Sequence, residues 1–328
     1  MSSSAISIVL KPLARYYDDP TTVEMRINRP QVVVVDRRGT GKVRIDAPEM
    51  TVARIEDLCK ALANQTGVRF DPDNAPKLSC VIPEAKHRFE CLVGASSQTE
   101  TSLAIRCKHP FTPTWEQVGV GPELLGYLRE VIVTGRNLII SGATNTGKTT
   151  LLNKLLEFLP DDCRVVAVED TPELHIDRFW DGQGLLAARE ESTSSGMVTW
   201  RELYDHLMRI TPDRVLFGEI STQNAFAALG ALNSGITGFA CTIHGESPHQ
   251  VLKRKFAQNI AWAGQQMADI PEFLAELVDV IVQIKRDDTG FRRITDIYEP
   301  RNDAWIMRDG KLHLQRPVVL HGAKEDGR

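Results

Sequence analysis

Glycine, glycine, lysine and threonine stand at the spacing G-x-x-x-x-G-K-[ST] in Gly142-Ala143-Thr144-Asn145-Thr146-Gly147-Lys148-Thr149-Thr150. Such a loop can wrap its backbone N–H groups around a phosphate, because glycine leaves no Cβ in the way. A helix starting at the loop would add the positive end of its dipole. From there the Lys148 ammonium can reach β- and γ-phosphates, and the Thr149 hydroxyl can ligate Mg²⁺. The run therefore implies that residues 142–150 hold a nucleoside triphosphate, ATP with Mg²⁺. A similar stretch, Gly39-Thr40-Gly41-Lys42, has Asp36 where the first glycine belongs and Val43 where the hydroxyl belongs. It reads as a hairpin turn.

Three further stretches end apolar runs in polar side chains. Val168-Glu169-Asp170-Thr171-Pro172-Glu173 places carboxylates where Pro172 stops a strand. In parallel sheets that carboxyl edge is where ligands bind, and Glu169, Asp170 and Glu173 could organise Mg²⁺ and water there. A charged surface turn would have the same composition. Arg214-Val215-Leu216-Phe217-Gly218-Glu219 ends in an acid suited to orienting an attacking water. Phe239-Ala240-Cys241-Thr242-Ile243-His244 ends in a histidine that could sense a γ-phosphate. A lone histidine can equally be structural.

To bring these groups together the chain needs strands that all end on one edge. A helix is expected over Pro122–Val133, then a buried strand at 138–140 running into the glycine loop. A helix carrying Leu151, Leu152, Leu155 and Leu156 follows, then a strand over 164–168. This alternation implies a parallel sheet flanked by helices, an α/β domain. The part before it reads as a mixed α+β domain. It has strands near Val32, over Arg88–Val93 and over 102–106, and one helix carrying Ile55, Leu58, Cys59 and Leu62. The Pro110-Phe111-Thr112-Pro113-Thr114 stretch suggests a linker. The domains are read as 1–118 and 119–328.

Composition narrows the classes. With 328 residues, 42% hydrophobic and 25% charged, the chain suits two globular domains. The net charge of -4 supplies no global field for nucleic acid. The six cysteines include no Cys-x-x-Cys pair, which disfavours a zinc knuckle or thioredoxin-type site, and their sparseness fits a reducing cytosol. The start Met1-Ser2-Ser3-Ser4 is unlike a signal peptide. No apolar run approaches the ~20 residues that cross a bilayer. A cytoplasmic protein without a transmembrane segment is expected.

Taken together, GATNTGKTT, VEDTPEL, RITPDRVLFGE and GITGFACTIH resemble, in order and spacing, the four boxes of the hexameric ATPases of type II and type IV secretion and type IV pili. The resemblance covers most of residues 119–300. It implies a RecA-like P-loop NTPase domain that hydrolyses ATP, with Glu219 as the water-orienting base. Earlier in the chain, Met25-Arg26-Ile27-Asn28-Arg29-Pro30 resembles the family's opening I-N-x-P turn, and Arg88-Phe89-Glu90 and Ser102-Leu103-Ala104-Ile105-Arg106 are similar to family segments that supply arginines to nucleotide. By that likeness Arg88 and Arg106 reach the triphosphate, although plain β-sheet arginines would read the same way. The tetra-cysteine module that type II export ATPases often carry is absent from the sequence, and the short N-terminal domain and the Cys-Thr-Ile-His box look most like the VirB-type ATPase of type IV secretion and conjugation. Ser221 stands where the family usually has an arginine, while Arg209 and Arg214 match others of that box.

The resemblance implies a hexameric motor at the inner membrane, bound to secretion-system components. A type II or pilus ATPase of the same family is the nearest alternative. A RecA-like nucleic-acid translocase is another; it would need a basic, aromatic-bearing groove, for which Lys253-Arg254-Lys255 is the only hint. A nucleotide-binding switch that does not hydrolyse is the third. No sequence-specific nucleic-acid binding is expected.

Overall fold

The computed structural model describes residues 5–38, 40–83, 85–109, 113–187, 198–287 and 291–313. The chain divides into two compact units, Met1–Phe111 and Thr112–Arg328. The division falls ahead of the position near 118 read from composition, because Trp115 and Val118 already pack into the core of the second unit.

Among its described residues the first unit is an antiparallel sheet with two α-helices. Its strands are β1 (Thr22–Arg29), β2 (Val32–Arg37), β3 (Gly41–Asp46), β4 (Lys77–Val81), β5 (Arg88–Val93) and β6 (Thr101–Arg106), in the order β3-β2-β1-β6-β5-β4. The β2–β3 pair makes the second glycine-lysine stretch part of a hairpin; Gly39 itself lies outside the described residues. Helix α2 (Val52–Thr66) starts at Thr51, whose side chain accepts the Arg54 N–H, and stops at Gly67 with φ 71°. It buries Ile55, Leu58, Cys59, Leu62 and Ala63. Helix α1 (Ala5–Tyr17) is a correction to the single helix expected. It carries Pro12, normally a helix breaker, so its pattern does not read as helical.

The second unit holds β7 (Leu138–Gly142), β8 (Val165–Glu169), β9 (Gln183–Leu186), β10 (Arg214–Ile220), β11 (Phe239–His244), β12 (Val280–Arg286), β13 (Arg292–Glu299), β14 (Ala304–Arg308) and β15 (Lys311–Leu312). Among the described residues the order is β15-β14-β13-β12-β7-β11-β10-β8-β9. The run from β12 to β9 is parallel, as expected. β7 and β8 are buried at every position, as strands covered on both faces must be. The antiparallel extension β13-β14-β15 is absent from the sequence reading. Helices α3 (Pro122–Val133), α4 (Lys148–Leu156), α5 (Trp200–Leu207) and α6 (Ala225–Leu232) come next. They are followed by α7 (Pro248–Gln250), a π-turn at Val251–Lys255, α8 (Phe256–Trp262) and α9 (Ile270–Leu277). Pro122 occupies the first turn of α3, where its missing N–H costs nothing.

The extension is anchored from within. Glu299, at the end of β13, accepts from Tyr127 Oη and Arg136 Nη2, each at 2.7 Å, and from Asn302 Nδ2 at 2.8 Å. Burial alone would raise its carboxyl; these donors outweigh burial and hold it below the usual carboxylate range. The strand that starts at Arg292 is thereby fixed at its far end to α3 and to the turn that leads into β7.

Candidate active site

β7 delivers the chain to Gly142, and α4 begins at Lys148. Between them the backbone turns left-handed twice, at Asn145 (φ 61°) and Gly147 (φ 92°). Gly147 adopts this at no steric cost, whereas Asn145 is one of the few residue types that tolerate it. Gly142 has a different reason: a Cβ there would lie 2.5 Å from both the Ile284 carbonyl oxygen and Thr146 Oγ1. Thr146 is buried and donates to the Ala143 carbonyl at 2.9 Å, which closes the loop. Ala143 and Thr144 are exposed, and Thr149 and Thr150 are half-buried on the first turn of α4.

The β11–β7 register sets His244 beside Gly142. β10 lies on the other side of β11 and carries Gly218 and Glu219 just before its last residue, Ile220. Three of the expected residues therefore meet. The Lys148 ammonium lies 3.2 Å from the Ala143 carbonyl, 3.2 Å from His244 Nδ1 and 3.7 Å from Glu219 Oε1. Glu219 Oε1 lies 2.8 Å from His244 Nε2. Lysine only donates, so Nδ1 must accept, and the ring N–H is the one on Nε2 that donates to the carboxylate. The lysine side chain is 7% exposed, and those of Glu219 and His244 about two-fifths exposed. The lysine is thus held inside while the acid and histidine face outward.

Glu169 sits differently. It is buried at the end of β8, and its Oε1 accepts the N–H groups of Glu173 (2.9 Å) and Leu174 (3.1 Å). The side chain lies on Gly218, where a Cβ would come within 2.7 Å of Oε1. Gly218 is glycine because the Glu169 carboxylate occupies that space. Glu173 is half-buried, and its carbonyl accepts from Asn153 Nδ2 of α4 at 3.0 Å. Asp170 is exposed. The carboxylates therefore divide between Glu219, joined to the lysine, and Glu169, which accepts backbone N–H groups in its own loop.

Arg88 and Arg106 lie in the first unit as direct cross-strand partners on β5 and β6, with Glu24 of β1 opposite Arg106 on its other side. Arg106 is exposed and Arg88 half-buried. The two arginines matched around β10 have other surroundings. Arg214 starts that strand, at the end away from Glu219, and donates to the Asp213 and Val133 carbonyls. It packs under Gly238, where a Cβ would meet it at 2.2 Å. Arg209 is exposed after α5. Ser221 shapes a turn instead of carrying charge: its hydroxyl accepts the Gln223 N–H, and its own N–H donates to Asn224 Oδ1. Of the basic run, Lys253 and Arg254 are exposed, and Lys255 lies 5.5 Å above the Trp262 ring.

One residue at the loop escaped sequence reasoning. Arg292 of β13 donates from Nε to the Asn145 carbonyl (3.2 Å) and from Nη2 to Asn145 Oδ1 (3.1 Å). Its Cδ would meet a Cβ on Gly147 at 3.1 Å. It lies more than a hundred residues along the chain, in no motif, so only the fold brings it here.

Along most of its length the chain is similar to known proteins. Residues 72–284 match the family model described as type II/IV secretion system protein. The conjugal transfer protein TrbB of Rhizobium radiobacter is 31% identical over 85% of this chain and 84% of its own. The protein VirB11 of Agrobacterium fabrum is 28% identical over 93% and 94%. The structure of the Legionella pneumophila ATPase DotB shares the fold, with a TM-score of 0.60 at 12% identity over 91% of this chain and 82% of that one.

Proposed function

This chain belongs to the type II/IV secretion system protein family, and from that membership we propose that it hydrolyses ATP as the motor subunit of a type IV secretion or conjugation apparatus. The observation that carries the reading is the joining of Lys148, His244 and Glu219 at the mouth of the glycine loop. A lysine buried against a carbonyl, an imidazole and a carboxylate is an ammonium waiting for a better anion. The phosphates of ATP supply one. When Lys148 turns to the β- and γ-phosphates, Glu219 and His244 keep their mutual hydrogen bond. Glu219 then orients the attacking water, and His244 Nε2–H fixes which way the carboxylate faces. The loop N–H groups and the start of α4 hold the phosphate charge.

The hard oxygen donors here suit Mg²⁺ better than a soft ion. Thr149 and the exposed Asp170 would hold it, while Glu169 lends the loop its shape. Bound there, Mg²⁺ would neutralise phosphate charge. Arg88 and Arg106 serve the nucleotide in this reading, as their likeness to the family's arginine-bearing segments implies.

The names of the relatives support conjugation or type IV secretion over a pilus motor. We read the working form as a homohexameric ring, cytoplasmic and peripheral at the inner membrane, docked on membrane components of that apparatus. No helix among the described residues is long and apolar enough to cross a membrane. The test is ATP turnover by the purified full chain. Wild type should hydrolyse Mg-ATP, and Lys148→Ala, folded by circular dichroism, should not. Near wild-type hydrolysis by that variant would place the activity elsewhere.

A further inference from the structure

Away from the glycine loop, the first unit gathers three side chains with metal-binding atoms. β6 ends at Arg106, and the chain continues through Cys107, Lys108 and His109. β5 begins at Arg88, directly opposite Arg106, so the antiparallel register carries His87 toward this departing segment. The donor atoms of His87, Cys107 and His109 all lie within 4.8 Å of one another, the one such grouping among the described residues. No Cys-x-x-Cys spacing announces it, because two ligands come from a Cys-x-His step and the third from the neighbouring strand.

The surroundings prepare these groups as ligands. His109 Nε2 lies 2.7 Å from the Tyr17 carbonyl. A carbonyl only accepts, so Nε2 carries the hydrogen and the Nδ1 lone pair is left available. A backbone carbonyl holding the far N–H of a ligating histidine is the usual support in metal sites. His87 Nδ1 accepts the Lys108 N–H at 3.1 Å, so its lone pair already points at the segment bearing the other two ligands. The His87 and His109 rings meet edge to face with centroids 5.0 Å apart, and Tyr17 backs His87 at 5.1 Å. His87 is buried, whereas Cys107 and His109 are half-buried, which leaves an approach from one side. Burial first, and then the carboxylates of Glu24 and Asp18, push the Cys107 thiol up to about 12, so an incoming metal must itself displace that proton. Arg37 and Arg26 partly neutralise Asp19 and Glu24.

We propose that His87, Cys107 and His109 bind a divalent metal ion of the borderline-soft class, Zn²⁺ or Co²⁺, at the point where the first unit ends. Two imidazoles and a thiolate select this class over Mg²⁺ and Ca²⁺, which take oxygen ligands. Zinc bonds of about 2.0 Å to nitrogen and 2.3 Å to sulfur require the donors to draw together by roughly 1 Å, a movement within reach of side-chain torsions. On binding, the Cys107 thiol gives its proton to water, and the thiolate, His109 Nδ1 and His87 Nδ1 each donate a lone pair to the metal. Binding would cost the hydrogen bond that the Lys108 N–H donates to His87 Nδ1. Water fills the fourth position. The ion would tie the start of β5, the exit of β6 and, through the Tyr17 carbonyl, the end of α1. It would therefore stiffen the segment through which the chain leaves this unit.

The test uses the full chain, stripped with a chelator, kept reduced by a phosphine and free of nucleotide. Co²⁺ is titrated in and absorbance recorded. A near-ultraviolet thiolate-to-cobalt band should saturate at one ion per chain and be abolished by Zn²⁺. Zn²⁺ should also raise the unfolding temperature. Cys107→Ser should lose the band, and His109→Gln should weaken binding by about tenfold or more. If Cys107→Ser does not fold, His109→Gln decides alone. Absence of the band in wild type, the same band in Cys107→Ser, or unchanged affinity in His109→Gln would each overturn the proposal. None of these readouts depends on ATP hydrolysis.

Discussion

His244 Nε2 stands 2.8 Å from Glu219 Oε1, and its other nitrogen stands 3.2 Å from the Lys148 ammonium. One imidazole therefore bridges the lysine of the glycine loop and the acid near the end of β10. In the proposed mechanism, nucleotide that draws Lys148 away would leave the carboxylate aimed by the ring. His244→Ala should bind ATP with nearly wild-type affinity yet lower kcat by about tenfold or more, a loss of ~1.4 kcal/mol or more in transition-state stabilisation. Steady-state kinetics beside a fluorescent-nucleotide titration would separate the two. An unchanged kcat would make the histidine structural.

Arg292 holds Asn145 by two donors, so its removal should loosen the loop before it affects chemistry. Arg292→Ala should raise the KM for ATP by about tenfold, with a smaller change in kcat. Arg292→Lys should restore little, because one ammonium cannot span a carbonyl and a side-chain amide as a planar fork does. Full rescue by lysine would mean that charge alone matters there.

Arg106 is exposed at the end of β6, beside Arg88. If its guanidinium neutralises charge developing on the γ-phosphate, Arg106→Ala should slow hydrolysis by up to ~10³-fold under saturating Mg-ATP while nucleotide still binds. Full turnover in that variant would leave the first unit a docking module.

The ring is tested by mass. Light scattering at micromolar concentration with Mg-ATP should give a hexamer. A monomer under those conditions would count heavily against a motor that works between subunits.

The parallel half of the nucleotide-binding unit was legible because each strand is short, apolar and closed by a polar residue at its carboxyl end. Glu219 and His244 could be placed near the loop from that pattern alone, since parallel strands share an edge. The pattern could not tell which acid meets the lysine. Glu169 and Glu219 both stand at the carboxyl ends of their strands' apolar runs, and Glu169, packed on Gly218, accepts backbone N–H groups of its own loop instead. Helix α1 escaped because Pro12 masks its pattern. Arg292 and the His87, Cys107 and His109 group escaped because they depend on strand pairing between distant segments, which periodicity does not encode.

The central claim, that ATP is hydrolysed at this loop with Glu219 orienting the water, is tested most directly by Glu219→Gln. The amide keeps the size of the side chain and removes the charge. Fluorescent-nucleotide binding and single-turnover hydrolysis would be measured on the same preparation. The account predicts ATP affinity close to wild type and hydrolysis slower by ~10²–10⁴-fold, the usual cost of losing one acid–base group. Hydrolysis at the wild-type rate would contradict it and move the role to another carboxylate, Glu169 or Glu173.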